Sequence, residues 1–427
     1  MSAQGKTAEY RLSKSYSYYI FTLLFLLYLF DYMDRLVVTS LFPYIKEAWG
    51  LTDAQCGMTV SAVYWSIVAF TFPVSLLVDR WSRKKTIALM ALVWSLGTAA
   101  CALARNFKEL FIARGVIGVG EAGYAPGGTA MLAGIFPQEQ RARIVGIWQA
   151  SIPLGSALGI AIGGIVAEHW GWRHAFGLVA FPGIIVGIMF FFVKDYKTVR
   201  LEKDEGPAAR KMSRGDIVRQ FTRTPSLILT YTGFAFCAFV TTALLTWLPT
   251  YFHRIEGISI SQAGVKTGLI MMLAIVGAPV GGYLTDAWYR KNPRARLFFG
   301  CVTNVLCAVL LFASFTLVRG PAQFVMFLFV GALIVAFSPG VIAVTQDVVH
   351  PGLRAISYAI AVIVQNLLGA STAPIVIGAF SDSFGIESAL KVLPVFLVIA
   401  TLLFFAGAFY YERDLAKVDR VTLEMED

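Results

Sequence analysis

Asp31, Asp34 and Arg35 stand inside LFDYMDRLVV, residues 29–38, a stretch otherwise suited to hydrocarbon. Arg114 and Glu121, seven positions apart and therefore on one helix face, occupy a second such stretch. Carboxyls and guanidiniums in these settings can pair with one another, hold an anion through a bidentate guanidinium, or exchange a proton. A charge facing lipid costs several kcal/mol, so all five groups are expected to turn toward an internal cavity and pair together. A purely structural ion cluster is the alternative. Replacing such clusters by apolar groups is often neutral for stability, so stability explains them poorly and function explains them better.

The elements that position these groups follow from composition. The chain has 427 residues, 57% hydrophobic and 15% charged, with a mean hydropathy of +0.68. Apolar runs of about 20 residues recur along it, each long enough to cross a bilayer as a helix. The pattern predicts an all-α integral membrane protein with spans at 17–44, 56–79, 86–104, 110–135, 143–167, 174–193, 226–251, 264–288, 296–318, 322–348, 354–380 and 386–411, twelve in all. The short alternating segments of a β-barrel are absent. Lys6, Arg11 and Lys14 precede the first run in the manner of a signal peptide, but that run is too long and too charged, and is expected to remain as a span. With a rise of 1.5 Å per residue from about residue 17, Asp31 lies roughly 21 Å along this span and Arg35 roughly 27 Å. The fourth span runs the other way, so Asp31 is expected near the depth of Glu121 and Arg35 near that of Arg114.

The net charge of +10 is spread over short loops rather than gathered on one face, so no nucleic-acid partner is expected. Cation-rich loops (Arg80, Arg83, Lys84, Lys85; Arg141, Arg143; Lys197, Arg200, Lys203; Arg290, Lys291, Arg294, Arg296) alternate with cation-poor ones, which puts this set and both termini in the cytoplasm. Five cysteines sit singly in apolar stretches and read as small packing residues. Residues 194–225 form the longest polar interval, a linker between an amino-terminal six-helix bundle (1–193) and a carboxy-terminal one (226–411), with a tail at 412–427. The halves repeat: SLLVDRWSRK at 75–84 and GYLTDAWYRK at 282–291 align with a shift of 207, pairing Asp79 with Asp286 and Arg83 with Arg290. Membrane carriers are commonly built from such repeats around a central site.

GVGEAG at 118–123 matches the dinucleotide fingerprint GxGxxG, but it lies mid-span with no preceding strand, so that reading fails. Gly115, Gly118, Gly120 and Gly123 instead allow close helix approach. No GxxxxGK[ST] occurs, so ATP is not expected to drive the protein.

The Ser75-to-Lys84 loop motif and the two sets of six spans resemble the major facilitator superfamily. That resemblance implies a cytoplasmic charge gate formed by Asp79, Arg80, Arg83 and Lys84, with Asp286 and Arg290 as a second copy; Ser75 stands where the family usually has Gly. Loop cations serving only as topology anchors are the plainer alternative. The first-span DYMDR, GVGEAGYAP in the fourth span, IPLGSALG at 152–159 and NLLGASTAPIVIGAFSD at 366–382 look like the spinster branch, whose members are associated with lysophospholipids and sphingosine phosphate. The resemblance implies that Asp34, Arg35 and Glu121 line the cavity, and Asp31 takes a position where Asn is common in that branch.

Trp247 and Tyr251 in TWLPTYF are one turn apart and suit either closure of the cavity's outer side or an interfacial aromatic belt; Gln365 and Asn366 suit a cavity wall or helix-to-helix hydrogen bonds. The expectation is a monomeric secondary transporter, not an enzyme, in a bacterial inner membrane. Its substrate is an amphiphilic anion held by Arg35 and Arg114, with the proton as coupling ion through Glu121 and no other cofactor. Small organic anions are the alternative substrate.

Overall fold

The computed structural model describes residues 12–80, 82–194, 220–350 and 353–418, and within them every regular element is helical. In the first half these are α1 (Lys14–Val37), α2 (Phe42–Trp49), α3 (Asp53–Arg80), α4 (Arg83–Leu103), α5 (Phe107–Glu121), α6 (Tyr124–Ile135), α7 (Gln138–Gln149), α8 (Ser151–Trp170) and α9 (Trp172–Phe191). In the second half they are α10 (Pro225–Glu256), α11 (Ile260–Met272), α12 (Ala274–Tyr289), α13 (Ala295–Thr316), α14 (Pro321–Leu333), α15 (Ser338–Asp347), α16 (Arg354–Val364), a π-helical segment (Gln365–Ala370), α17 (Ala373–Phe384), α18 (Ile386–Leu390) and α19 (Leu393–Leu415).

Helix starts are written into the sequence. Asn106 Oδ1 accepts the Glu109 amide at 3.0 Å while Glu109 Oε2 accepts the Arg105 amide at 2.9 Å, a reciprocal cap that fixes the beginning of α5. Ser13 and Ser82 cap α1 and α4 in the simpler way, and Gly50, at φ 62°, ends α2 in the left-handed conformation.

Ten helices or helix runs among the described residues are long and apolar enough to cross a membrane. The sequence predicts twelve. The two that fall short by composition are α1, which holds Asp31, Asp34 and Arg35, and the α5–α6 run, which holds Arg114 and Glu121: the groups proposed to do chemistry are those that lower the apolarity. Several predicted spans are also interrupted. Residues 110–135 break at Ala122 and Gly123, immediately after Glu121, and 354–380 passes through the π segment and a turn at 371–372. There the hydroxyls of Ser371 and Thr372 donate to the Leu367 and Leu368 carbonyls at 2.8 and 2.6 Å, satisfying backbone that the irregular helix leaves free.

The described residues fall into two compact units. The first comprises 12–194, 243–272 and 374–386; the second comprises 220–242, 273–373 and 387–418. In the first unit, glycines set the helix spacing. Gly155, Gly159 and Gly163 form a stripe on α8 facing α1: a methyl on Gly155 would overlap the Leu29 carbonyl, and one on Gly159 would come within 2.7 Å of the Met33 carbonyl oxygen. On α5, a methyl on Gly118 would overlap the Val63 carbonyl, and one on Gly120 would lie 2.6 Å from the Trp94 amide. The four glycines expected to admit close helices thus divide. Gly118 and Gly120 touch backbone, Gly123 meets the side chains of Val74 and Met90, and Gly115 has only an ordinary contact with Ser66.

The second unit packs α10, α13, α15 and α19 around Phe234, Phe337 and Phe404, with Gly233 and Gly300 against the Phe404 ring. Several of its polar groups are paired: Cys237 and Asn304 bond one another, Tyr231 bonds Ser357, and Tyr411 donates to Asp347 Oδ2 at 2.7 Å, where Arg296 also binds. All five cysteines are free and buried.

Candidate functional site

The amino-terminal cluster lies in the first unit, between α1 and the end of α5. Arg35 reaches back along α1, as helical side chains do, and its Nη2 contacts Asp31 Oδ2 at 3.0 Å one turn earlier. Its Nε lies 2.8 Å from Glu121 Oε2 at an angle outside hydrogen-bond geometry. One guanidinium therefore serves two carboxylates from two helices. The carboxylates are fully buried, while the Arg35 side chain keeps 13% of its surface exposed and stacks over Tyr32 at 4.5 Å. Arg35 is thus the member of this trio whose side chain keeps exposed surface.

Arg114 does something else. It is entirely buried, and its Nε, Nη1 and Nη2 donate to the carbonyl oxygens of Thr59 (3.0 Å), Asp34 (2.7 Å) and Arg35 (2.7 Å). The expectation that it pairs with carboxylates and holds substrate is not met in this arrangement; its donors are spent on the backbone of α1 and α3. The Arg114 side chain does reach Arg35, but at its carbonyl, while the Arg35 guanidinium goes to Glu121. Asp34 also departs from the expected joint pairing. Its side chain is completely buried and neither oxygen meets hydrogen-bond geometry with a partner among the described residues; the neighbouring Thr98 hydroxyl donates to the Trp94 carbonyl.

Aromatic groups close the cluster on one side. Tyr28 stacks on Trp148 at 4.4 Å, and Tyr124, just past the α5 break, joins Trp148 in donating to the Leu24 carbonyl at 2.5 and 3.2 Å. The break after Glu121 lets α6 begin with Tyr124 against this floor.

A second charged group went unrecognised in the sequence. Asp53, at the start of α3 and 2% exposed, accepts Lys46 Nζ at 2.7 Å, Arg254 Nη1 and Nη2 at 2.6 and 2.8 Å, and Ser381 Oγ at 2.6 Å. These partners come from both sequence halves yet belong to one compact unit. Trp247 and Tyr251 are fully buried close by in sequence on α10; the Trp247 indole donates to the Pro374 carbonyl at 3.1 Å and packs on Phe42. Both side chains are packed inside the protein and not displayed on its surface.

Gln365 and Asn366 are half-buried in the π segment. Asp286 and Arg290 are both exposed, and Lys84 is half-buried; the side chains of Asp79, Arg80 and Arg83 lie outside the described residues.

Ten helices or helix runs among the described residues, long and apolar enough to span a bilayer and with ion pairs buried among them, define a multi-span membrane protein. Residues 24–374 match the model of the Major Facilitator Superfamily, and the chain belongs to that superfamily. It is 28% identical to spinster homolog 1 of Xenopus laevis over 94% of this chain and 82% of the relative, and 30% identical to a hexuronate transporter of Bacillus subtilis over 69% and 70%. Its fold matches the crystal structure of a bacterial homologue of the human lysosomal transporter spinster in an inward-facing, unoccupied conformation, with a TM-score of 0.83 at 22% identity over 94% of this chain and 99% of the other.

Proposed function

We propose that this protein carries an amphiphilic, lipid-like anion across a bacterial inner membrane by alternating access, with proton movement through the Asp31–Arg35–Glu121 trio. The observation that carries this reading is the single Arg35 guanidinium shared by two buried carboxylates while retaining its own exposure. An anionic headgroup that engages Arg35 competes with Asp31 and Glu121 for it. A headgroup that takes Arg35 leaves a buried carboxyl without its counter-cation, so a proton is taken up as the headgroup binds and released as it leaves.

Twelve crossings are proposed, with α1 and α5–α6 as the two charged ones. The loop cations support cytoplasmic termini and so an outer face for the Asp53 network, which is proposed to hold that face shut. Asp79, Arg80, Arg83 and Lys84, with Asp286 and Arg290, are proposed to close the opposite, cytoplasmic side in the other state. Asn366 is proposed to lend the substrate a hydrogen bond from the π segment, a feature frequent at functional sites. An apolar substrate body suits the second unit, whose described cations stand at or beyond helix ends, among them Arg290 after α12, Arg294 and Arg296 at the start of α13, Arg319 beyond its end and Arg413 in the last turns of α19.

The second reading, a small organic anion, is favoured by the similarity to the hexuronate transporter. Proteoliposome uptake of lysophospholipids set against small carboxylates, with and without a pH gradient, separates the two. Gradient-stimulated uptake of the carboxylates alone would replace the lipid reading.

A further inference from the structure

Two carboxylates cap helix starts across the sequence repeat. Asp382 of α17 accepts the amides of Asp53 and Ala54 at 2.7 and 2.9 Å, where α3 begins. Glu168, at the end of α8, accepts the Ser261 amide at 2.8 Å, where α11 begins. Asp53 and Ile260 are 207 positions apart, as are Gly57 and Gly264; Glu168 and Asp382 are 214 apart, as are Gly164 and Gly378, and Ile160 and Pro374.

Each pair repeats one contact. A methyl on Gly57 would overlap the Pro374 carbonyl, and one on Gly264 would come within 2.7 Å of the Ile160 carbonyl oxygen. A methyl on Gly164 would lie 2.7 Å from the Ile260 carbonyl oxygen, and one on Gly378 would lie 2.6 Å from that of Asp53. The first unit therefore contains one seam built twice, α3 on α17 and α11 on α8, with glycines against carbonyls and a carboxylate over the helix start.

Charge breaks the equivalence. In the α3–α17 seam the first helical residue is Asp53, bound by Arg254, Lys46 and Ser381; its counterpart in the α8–α11 seam is Ile260, which has no charge to offer. The α8–α11 seam relies on Glu168, an exposed side chain, for the polar bond to the helix start. A carboxylate accepting an unsatisfied first-turn amide and facing the positive end of the helix dipole stabilises that helix start.

We propose that Glu168 is the clamp that sets how readily the outer end opens, whereas its repeat counterpart Asp382 is backed by the Asp53 ion network and is not limiting. The proposal rests on the alternating-access reading above. It is tested by spin-label distances in the full chain in proteoliposomes, with labels at His169→Cys and Gln262→Cys across the α8–α11 seam, and at Ala48→Cys and Ser383→Cys across the other. All four positions are exposed.

Glu168→Ala is expected to raise the ratio of open to closed populations at the α8–α11 pair about fivefold, the size of a lost helix cap, and Glu168→Gln, whose amide oxygen can still accept, to raise it less. Asp382→Asn alone is expected to leave both distances unchanged, and Asp53→Asn to open the α3–α17 pair. Unchanged α8–α11 distances in both Glu168 variants, or opening by Asp382→Asn as large as that by Glu168→Gln, overturn the clamp. If Asp53→Asn still opens its seam, alternating access survives that failure; if no variant moves either distance, both readings fall.

Discussion

Arg114 Nη2 donates to the carbonyl oxygen of Arg35 at 2.7 Å, so one buried arginine holds the backbone of the other. With its bonds to Asp34 and Thr59, Arg114 ties α5 to α1 and α3 and fixes where the Arg35 side chain begins its reach to Glu121.

Arg114→Met is therefore expected to leave three buried carbonyls short of a donor and to cost about 3–5 kcal/mol of stability, the range for breaking a buried polar assembly. Arg114→Lys, with a point charge in place of the planar fork, should recover only part. Denaturant unfolding in mild detergent reads this. A loss below about 1 kcal/mol for Arg114→Met would show that the clamp is dispensable.

Asp34→Asn should behave in the opposite way. The carboxyl is fully buried and neither oxygen meets hydrogen-bond geometry with a partner among the described residues, so an isosteric amide removes a latent charge without removing a bond. Unfolding midpoints equal to or higher than wild type are expected. A clear decrease would point to a partner that the carboxylate gains elsewhere in the cycle.

At the other charged site, Asp53→Asn should weaken the hold on Arg254 and Lys46 together, and Arg254→Gln should resemble it because the two residues share one ion pair. A double-mutant cycle in stability is expected to return a coupling of about 1–3 kcal/mol. Additive effects would mean that Lys46 and Ser381 carry the site without Arg254.

Helix spacing gives a fourth test. Gly155→Val places a branched side chain into the Leu29 carbonyl and must push α8 from the segment of α1 that carries the acids. Overpacking of this kind costs about 1–3 kcal/mol. Lower folded yield with loss of uptake is expected. Gly146→Val, at a position with open space around the added carbon, is the matched control and should be silent in folded yield.

The charged residues of α1 and α5 were legible in the sequence because hydrocarbon makes an ionisable group expensive wherever it stands, so its presence is a signal by itself. Depth along the helices brought Asp31 toward Glu121 but sent Arg35 to Arg114, so the Arg35–Glu121 contact was not foreseen. Arg114 was misassigned because side-chain patterns do not reveal which backbone carbonyls need a donor. The Asp53 network was invisible for a different reason. Lys46, Asp53, Arg254 and Asp382 sit at helix ends, where charge is ordinary, and Asp53 and Arg254 are 201 positions apart. The repeat shift of 207 could have brought α3 and α11 into register, but the equivalent of Asp53 is Ile260, and that asymmetry hid the ion site. The interruption after Glu121 and the π segment at 365–370 were likewise unmarked, since neither contains proline and the apolar runs continue on both sides.

Glu121→Gln in proteoliposomes, assayed for lysophospholipid uptake under an imposed pH gradient and for substrate exchange without one, tests proton coupling through the Arg35 trio most directly. Exchange that persists while gradient-driven accumulation falls to the level of vesicles at equal pH is the predicted result. Accumulation in Glu121→Gln as steep as in wild type would contradict it.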